Sequence, residues 1–172
     1  MASDLKATFV DALKQHYSEL ISDARVAETA SAEAAEGVQT EVRRKEDAQS
    51  AAAFGRMTAG HRQRRERAVS ELEQLIAFAG RGIPAFSSQS KVGLGALIDV
   101  SIEDEEGTEE RTLFMLPVGA GVELAGPGGD GFLSVVTPTS PVGRALMGSA
   151  RGDSFEIRIA DRDREWYVVD VG

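Results

Sequence analysis

Ahead of Gly37 the chain contains neither Gly nor Pro, and apolar or small residues recur there at steps of three and four: Leu5, Phe9, Leu13, Tyr17, Leu20, Ala24, Ala27, Ser31 and Ala34. A strand alternates with a period of two, so this spacing predicts one long helix with a narrow apolar stripe. A second series, Phe54, Thr58, His61, Arg65, Ala68, Leu72, Leu75 and Ala79, repeats the pattern. Helices with so thin a stripe are not stable alone in water, and pairing them as an antiparallel coiled coil buries both stripes. Side-chain size sets the expected register: Leu72 opposite Val10, Val69 opposite Leu13 and Phe54 opposite Glu28, with the chain folding back near residue 41. Gly is the usual residue just past a helix end, so the first helix is expected to stop at Glu36–Gly37. Val38 to Glu41 then make the bend, with Ser3 and Thr40 as the caps of the two helices. At about 1.5 Å per residue each arm reaches roughly 45–55 Å, bulky at its base and slim toward its tip.

Gly80, Gly82 and Pro84 end the second helix, and the Ser-rich stretch Ala85 to Lys91 reads as a linker. Alternation then predicts strands at Val92–Ile102, Arg111–Val118, Glu123–Leu124 and Phe132–Val136. Gly126 to Gly131 is a turn. Pro141–Met147 fits one short helix with Ser140 as cap and Pro141 at its first position. Asp153–Ile159 and Glu165–Val171 form a closing hairpin turned at Asp161–Arg164. The expected class is α+β: an antiparallel helical hairpin over residues 1–82, then a small antiparallel β domain with one short helix over residues 91–172.

There is no cysteine, which excludes disulfides, thiolate metal sites and a cysteine nucleophile. No apolar run approaches the length of a membrane span, and the N-terminus lacks the layout of a signal peptide, so a cytoplasmic protein with no membrane partner is expected. The net charge of −9 argues against general binding to nucleic-acid backbones. It is unevenly spread: residues to Gly80 carry 11 basic and 13 acidic side chains, those from Arg81 onward 8 and 15. Nucleic-acid contact is therefore expected on the hairpin.

The run Ser134-Val-Val-Thr-Pro-Thr-Ser-Pro-Val-Gly-Arg-Ala-Leu-Met-Gly148, followed by Gly152-Asp153, resembles the C-terminal signature of the bacterial transcript-cleavage factors GreA and GreB. A long hairpin ahead of that signature is also the family's layout. The resemblance implies an FKBP-like C-terminal domain that docks on RNA polymerase at the rim of its secondary channel, with Ser140, Pro141, Gly143 and Arg144 as candidate docking residues. It implies a monomer whose coiled coil enters the channel and which is not itself an enzyme.

The family's tip carries an acidic residue, two intervening residues, then Glu-Asn-Ala-Glu-Tyr. The matching stretch here is Arg43-Arg44-Lys45-Glu46-Asp47-Ala48-Gln49-Ser50, with Glu41 nearer the bend. Glu46 keeps one acidic position; Arg43, Gln49 and Ser50 depart from the pattern. The resemblance implies no tightly bound cofactor, only Mg²⁺ shared with the polymerase active site, with Glu46 and Asp47 as candidate ligands. Against that, a cationic tip repels a dication and pairs instead with carboxylates or phosphates. Such charges are equally ordinary on a solvated helix end. The mid-arm cluster Arg62, Arg64, Arg65 and Arg67 matches, by resemblance, a basic patch facing nascent RNA, although runs of this kind are usually solvated faces. Two other classes compete: an FKBP-like peptidyl-prolyl isomerase carrying a helical arm, and a coiled-coil adaptor.

Overall fold

The computed structural model describes residues 2–41, 45–104, 107–126, 131–159 and 162–172. Two long helices open the chain, α1 at Ala2–Glu41 and α2 at Lys45–Gly80. The expected stripes are the covered ones: Phe9, Leu13, Tyr17, Ala24 and Ser31 on α1 and Ala68 and Leu75 on α2 are buried. The expected end of α1 was wrong. Gly37, Val38, Gln39 and Thr40 are helical, so Val38 to Glu41 do not form the bend and Thr40 does not cap α2. A single glycine disfavours a helix by only about 1 kcal/mol, too little to stop one flanked by long helical runs. Ser3 likewise lies inside α1, not ahead of it.

The chain divides into two compact units. One comprises residues 14–73, the middle of both helices. The other joins residues 1–13 to residues 74–172. Its sheet has six strands: β1 Leu97–Asp104, β2 Gly107–Met115, β3 Glu123–Ala125, β4 Phe132–Val136, β5 Ser154–Ile159 and β6 Arg162–Val171. Their spatial order is β3-β4-β2-β1-β6-β5. β3, β4 and β5 fall close to their expected positions, but β1 starts at Leu97 instead of Val92, β2 at Gly107 instead of Arg111, and Arg162 to Arg164, expected in the turn, pair in β6 with Ile159 to Ile157. Neighbours are antiparallel as expected except β2 and β4, which run parallel with Thr112 opposite Leu133. Helix α3, Pro141–Leu146, follows β4.

Alternation along the strands gives this unit apolar groups on both sheet faces. Ile98, Val100, Ile102, Leu113, Met115, Trp166 and Val168 share one core with Leu146 of α3. Phe114, next to Leu113 and so on the opposite face, meets Phe9 edge-on with ring centroids 6.4 Å apart. Phe9, Val10 and Leu13 therefore serve as core residues of the β unit. Lys6 fastens the start of the linker: its Nζ donates to the Pro84 carbonyl at 3.3 Å and lies 4.9 Å from the Phe86 ring centre.

Candidate functional site

The Ser140–Gly148 stretch is built from the backbone outward. Ser140 is the N-cap of α3, with φ −70° and ψ 154°, and Pro141 occupies the first turn. The Ser140 hydroxyl accepts from the Gly143 amide at 3.1 Å and donates to the Thr137 carbonyl at 2.8 Å. Capping satisfies an amide that the helix itself leaves without a partner. Gly143 is required by space: a Cβ there would stand 1.8 Å from the Thr137 carbonyl oxygen. After α3 the Gly148 amide donates to the Val92 carbonyl, and Val92 donates in turn to Ser149, at 2.9 and 2.8 Å.

Together these bonds seat α3 over the sheet and leave a cleft of about 630 Å³ beside it. Its wall is apolar, with Leu113, Val136, Val142 and Trp166. Its rim carries Arg111, Arg158 and Arg164 against Glu123. Arg164 is held by Asp104 at 3.1 Å. The Trp166 indole N–H is buried with no hydrogen-bond partner among the described residues. Of the four expected docking residues, Ser140 and Pro141 line this cleft and Gly143 is buried behind the cap. Arg144 is exposed and does not line it. Met147 is 42% exposed. The sequence reading missed the cleft's cationic rim, because Arg111, Arg158 and Arg164 come from three different strands.

On the hairpin the basic cluster separates into different roles. Arg62 and Arg65 each place Nε 2.9 Å from a different oxygen of Glu28. Those two hydrogen bonds, Arg65 first and Arg62 second, hold the Glu28 carboxyl below the usual carboxylate range. Arg67 pairs with Glu71 at 2.9 Å one turn along α2. Glu71 also takes a hydrogen bond from Tyr17, whose hydroxyl pKa is pushed upward by burial and then by that carboxylate. Arg64 is exposed. The register thus differs from expectation: Glu28 faces Arg62 and Arg65, about two to three helical turns beyond Phe54. α1 runs on to Glu41 and α2 starts only at Lys45, both later than expected, which moves the pairings along.

The tip residues Arg43 and Arg44 lie outside the described residues, and so do the side chains of Glu41, Lys45, Glu46 and Asp47. Among the described residues no group of three or more His, Asp or Glu is placed to hold a metal ion. Among them, too, no helix is long and apolar enough to cross a membrane.

Comparison with known proteins bears on the region that carries the cleft. A family model described as "Transcription elongation factor, GreA/GreB, C-term" matches residues 87–172. Over 104 residues the chain is 36% identical to the transcription elongation factor GreA of Cereibacter sphaeroides, which covers 60% of this chain and 61% of that protein. GreA of another strain of the same species is 35% identical over 103 residues, covering 60% of this chain and 59% of the relative. The chain thus spans about 60% of the length of the curated relatives it matches. Among solved structures, that of GreA factor homolog 1 (Gfh1) of Thermus thermophilus aligns over 92% of this chain and 94% of its own at 18% identity, with a TM-score of 0.36. Thermus aquaticus Gfh1 aligns over 91% and 92% at 16% identity, with a TM-score of 0.38. With its C-terminal half, residues 87–172, matched by the family model and GreA relatives above 30% identity, the chain belongs to the GreA/GreB family of transcription elongation factors.

Proposed function

We propose that this protein binds RNA polymerase at its secondary channel and modulates elongation there. The C-terminal unit, FKBP-like in this reading, docks at the channel rim, and the hairpin tip reaches toward the polymerase active site. The observation that carries the proposal is the cleft beside α3. It lies inside the family-matched residues, its apolar wall includes Trp166 and Val142, and arginines edge it. A recess of that composition suits a protruding segment of a partner that brings apolar and acidic side chains together.

The hairpin contributes reach, and Arg64 is the member of its basic cluster best suited to touch RNA or a channel wall. Arg62 and Arg65 are occupied by Glu28 and Arg67 by Glu71. At the tip, Glu46 and Asp47 follow directly on Arg43, Arg44 and Lys45. Mg²⁺ prefers oxygen donors and keeps several waters, and three adjacent cations repel it, so this donor set fits the ion poorly. Occupancy of the channel is then the principal effect, with weak stimulation of the polymerase's own transcript cleavage.

The test uses the full chain. Immobilised wild-type protein is expected to capture RNA polymerase, and Val142→Glu, which places a charge on the cleft wall, is expected to lose capture while keeping its circular dichroism and melting temperature. Undiminished capture by a folded Val142→Glu variant would show that docking lies elsewhere. On backtracked polymerase the wild-type protein is expected to raise cleavage little over the polymerase alone.

A further inference from the structure

Acidic residues are unevenly placed in the C-terminal part of the chain. From Arg81 onward there are 15, yet residues 81–98 and 131–152 contain none. The fold joins these two runs: the Val92 amide donates to the Ser149 carbonyl at 2.8 Å, and the Gly148 amide to the Val92 carbonyl at 2.9 Å. Lys91 precedes Val92, Arg144 lies about one helical turn before Gly148, and Arg151 comes soon after Ser149. All three cations are exposed. Among the described residues none of them makes an ion pair or a side-chain hydrogen bond. The arginines around the α3 cleft differ, since Arg111, Arg158 and Arg164 each have a carboxylate of the same chain beside them, from Glu109, Asp163 and Asp104.

Two apolar side chains are uncovered at the same place. Met147, the C-cap of α3, is 42% exposed and Leu94 is 37% exposed. A single exposed apolar side chain is ordinary. Here two of them flank the hydrogen bonds that bring three unpaired cations together, in a part of the chain where acidic residues outnumber basic ones 15 to 8. The backbone beneath is fixed. Besides the two bonds of Val92, the Gly95 amide donates to the Met115 carbonyl at 2.7 Å and the Met147 amide to the Gly143 carbonyl at 3.0 Å. A surface already held in place gives up little freedom when a partner binds.

We propose that the surface formed by Lys91, Leu94, Arg144, Met147 and Arg151 docks an acidic segment of a partner protein that carries apolar side chains among its carboxylates. The carboxylates meet the three cations, and a guanidinium can hold one with two parallel hydrogen bonds. The apolar side chains lie on Met147 and Leu94, Met being unbranched and able to adapt to what it touches. Nucleic acid fits less well. Three cations neutralise few phosphates, and a net charge of −9 repels a long polyanion, whereas a short segment meets only the charges within a screening length. A phosphate backbone also leaves Met147 and Leu94 uncovered. The surface is separate from the α3 cleft, which is lined by Ser140, Pro141 and Val142 at the other end of that helix, and it does not rest on polymerase docking there.

The full-length protein is titrated with fluorescent Glu-Leu, Glu-Ser and Lys-Leu dodecapeptides and with a short DNA duplex. The Glu-Leu peptide is expected to bind saturably, the Glu-Ser peptide several-fold more weakly and the Lys-Leu peptide not at all. Arg144→Glu combined with Arg151→Glu is expected to weaken Glu-Leu binding about tenfold, and Met147→Ser about threefold. These side chains are exposed, so circular dichroism and melting temperature are expected to match wild type. The amide resonances of residues 91–94 and 144–151 are expected to shift on binding. Val142→Glu is expected to leave this titration unchanged, so failure of the docking proposal and failure of this one are separate results. No saturable binding at millimolar peptide, equal binding of the Glu-Ser or Lys-Leu peptide, indifference to the variants, or resonance shifts confined to other residues overturns it. So does a duplex that binds more tightly than the Glu-Leu peptide and is released by the double variant, which would give the surface to nucleic acid.

Discussion

Leu13 of α1 lies against Gly119: a Cβ built on Gly119 would stand 3.0 Å from the Leu13 Cδ2 and 3.2 Å from its Cδ1. Gly119 also has φ +90°, a conformation that side chains strain. Gly119→Ala combines both penalties. It is expected to destabilise the β unit by about 1–3 kcal/mol, seen as a lower urea midpoint with an unchanged m-value. Gly119→Ala in a Leu13→Ala background is expected to be milder, because the steric part is then relieved and only the backbone strain remains.

Ser140→Ala removes one oxygen that serves the Gly143 amide and the Thr137 carbonyl together. Loss of an N-cap typically costs about 1 kcal/mol, and the Thr137 carbonyl keeps only the Ser140 amide as donor, so about 1–2 kcal/mol is expected. Ser140→Thr should restore most of it. Equilibrium denaturation of the three proteins decides the matter. Equal stability of wild type and Ser140→Ala would mean the cap contributes nothing.

Glu28 gives the hairpin an acid limit. Its carboxyl titrates below the ordinary range because Arg65 and Arg62 hydrogen-bond the ionised form. A group depressed on folding contributes stability that is present above its unfolded pKa, about 4.3, and is lost as pH falls through the folded value. Hairpin helicity followed at 222 nm is therefore expected to decline as pH drops below about 4, reversibly and more steeply at low salt. Glu28→Gln should flatten this acid limb and start from a lower stability at neutral pH.

The tip has a direct charge test. Arg43→Asp restores the acidic position that the family pattern carries and removes one of three adjacent cations. Cleavage by backtracked polymerase is expected to rise about tenfold over the wild-type protein, the effect of roughly 1.4 kcal/mol surviving solvent screening. Vigorous Mg²⁺-dependent cleavage with the wild-type protein, abolished by Glu46→Ala or Asp47→Ala, is the contrary result.

Much of this arrangement is legible from residue order. The stripe from Phe9 to Ala34 and the Ser140-Pro141 cap are local patterns, and local patterns specify local structure. What stayed hidden depends on differences of one or two kcal/mol or on distant partners. Gly37 resembles a helix end, yet its penalty is smaller than the gain from continuing α1. With the end misplaced, the register followed, and Glu28 met Arg62 and Arg65 instead of Phe54. The parallel pairing of β2 with β4 left no mark, since an apolar run such as Phe132–Val136 reads the same in either direction. The α3 cleft was half legible: the cap announces itself, but its rim is assembled from arginines scattered between positions 111 and 164. Phe9 and Leu13 satisfy the helical stripe so well that nothing signals their second use in the β unit.

That second use sets a timetable for synthesis. The residues of α1 leave the ribosome first, but Phe9 has no ring to pack against until Phe114 has been made, about 100 residues later. At roughly 5–20 residues per second the first turns of α1 wait for about 5–20 s with their apolar side uncovered. The β unit closes only when the earliest and the later parts of the chain are both present, so the apolar side of its first helical turns stays uncovered while residues 14–113 are translated.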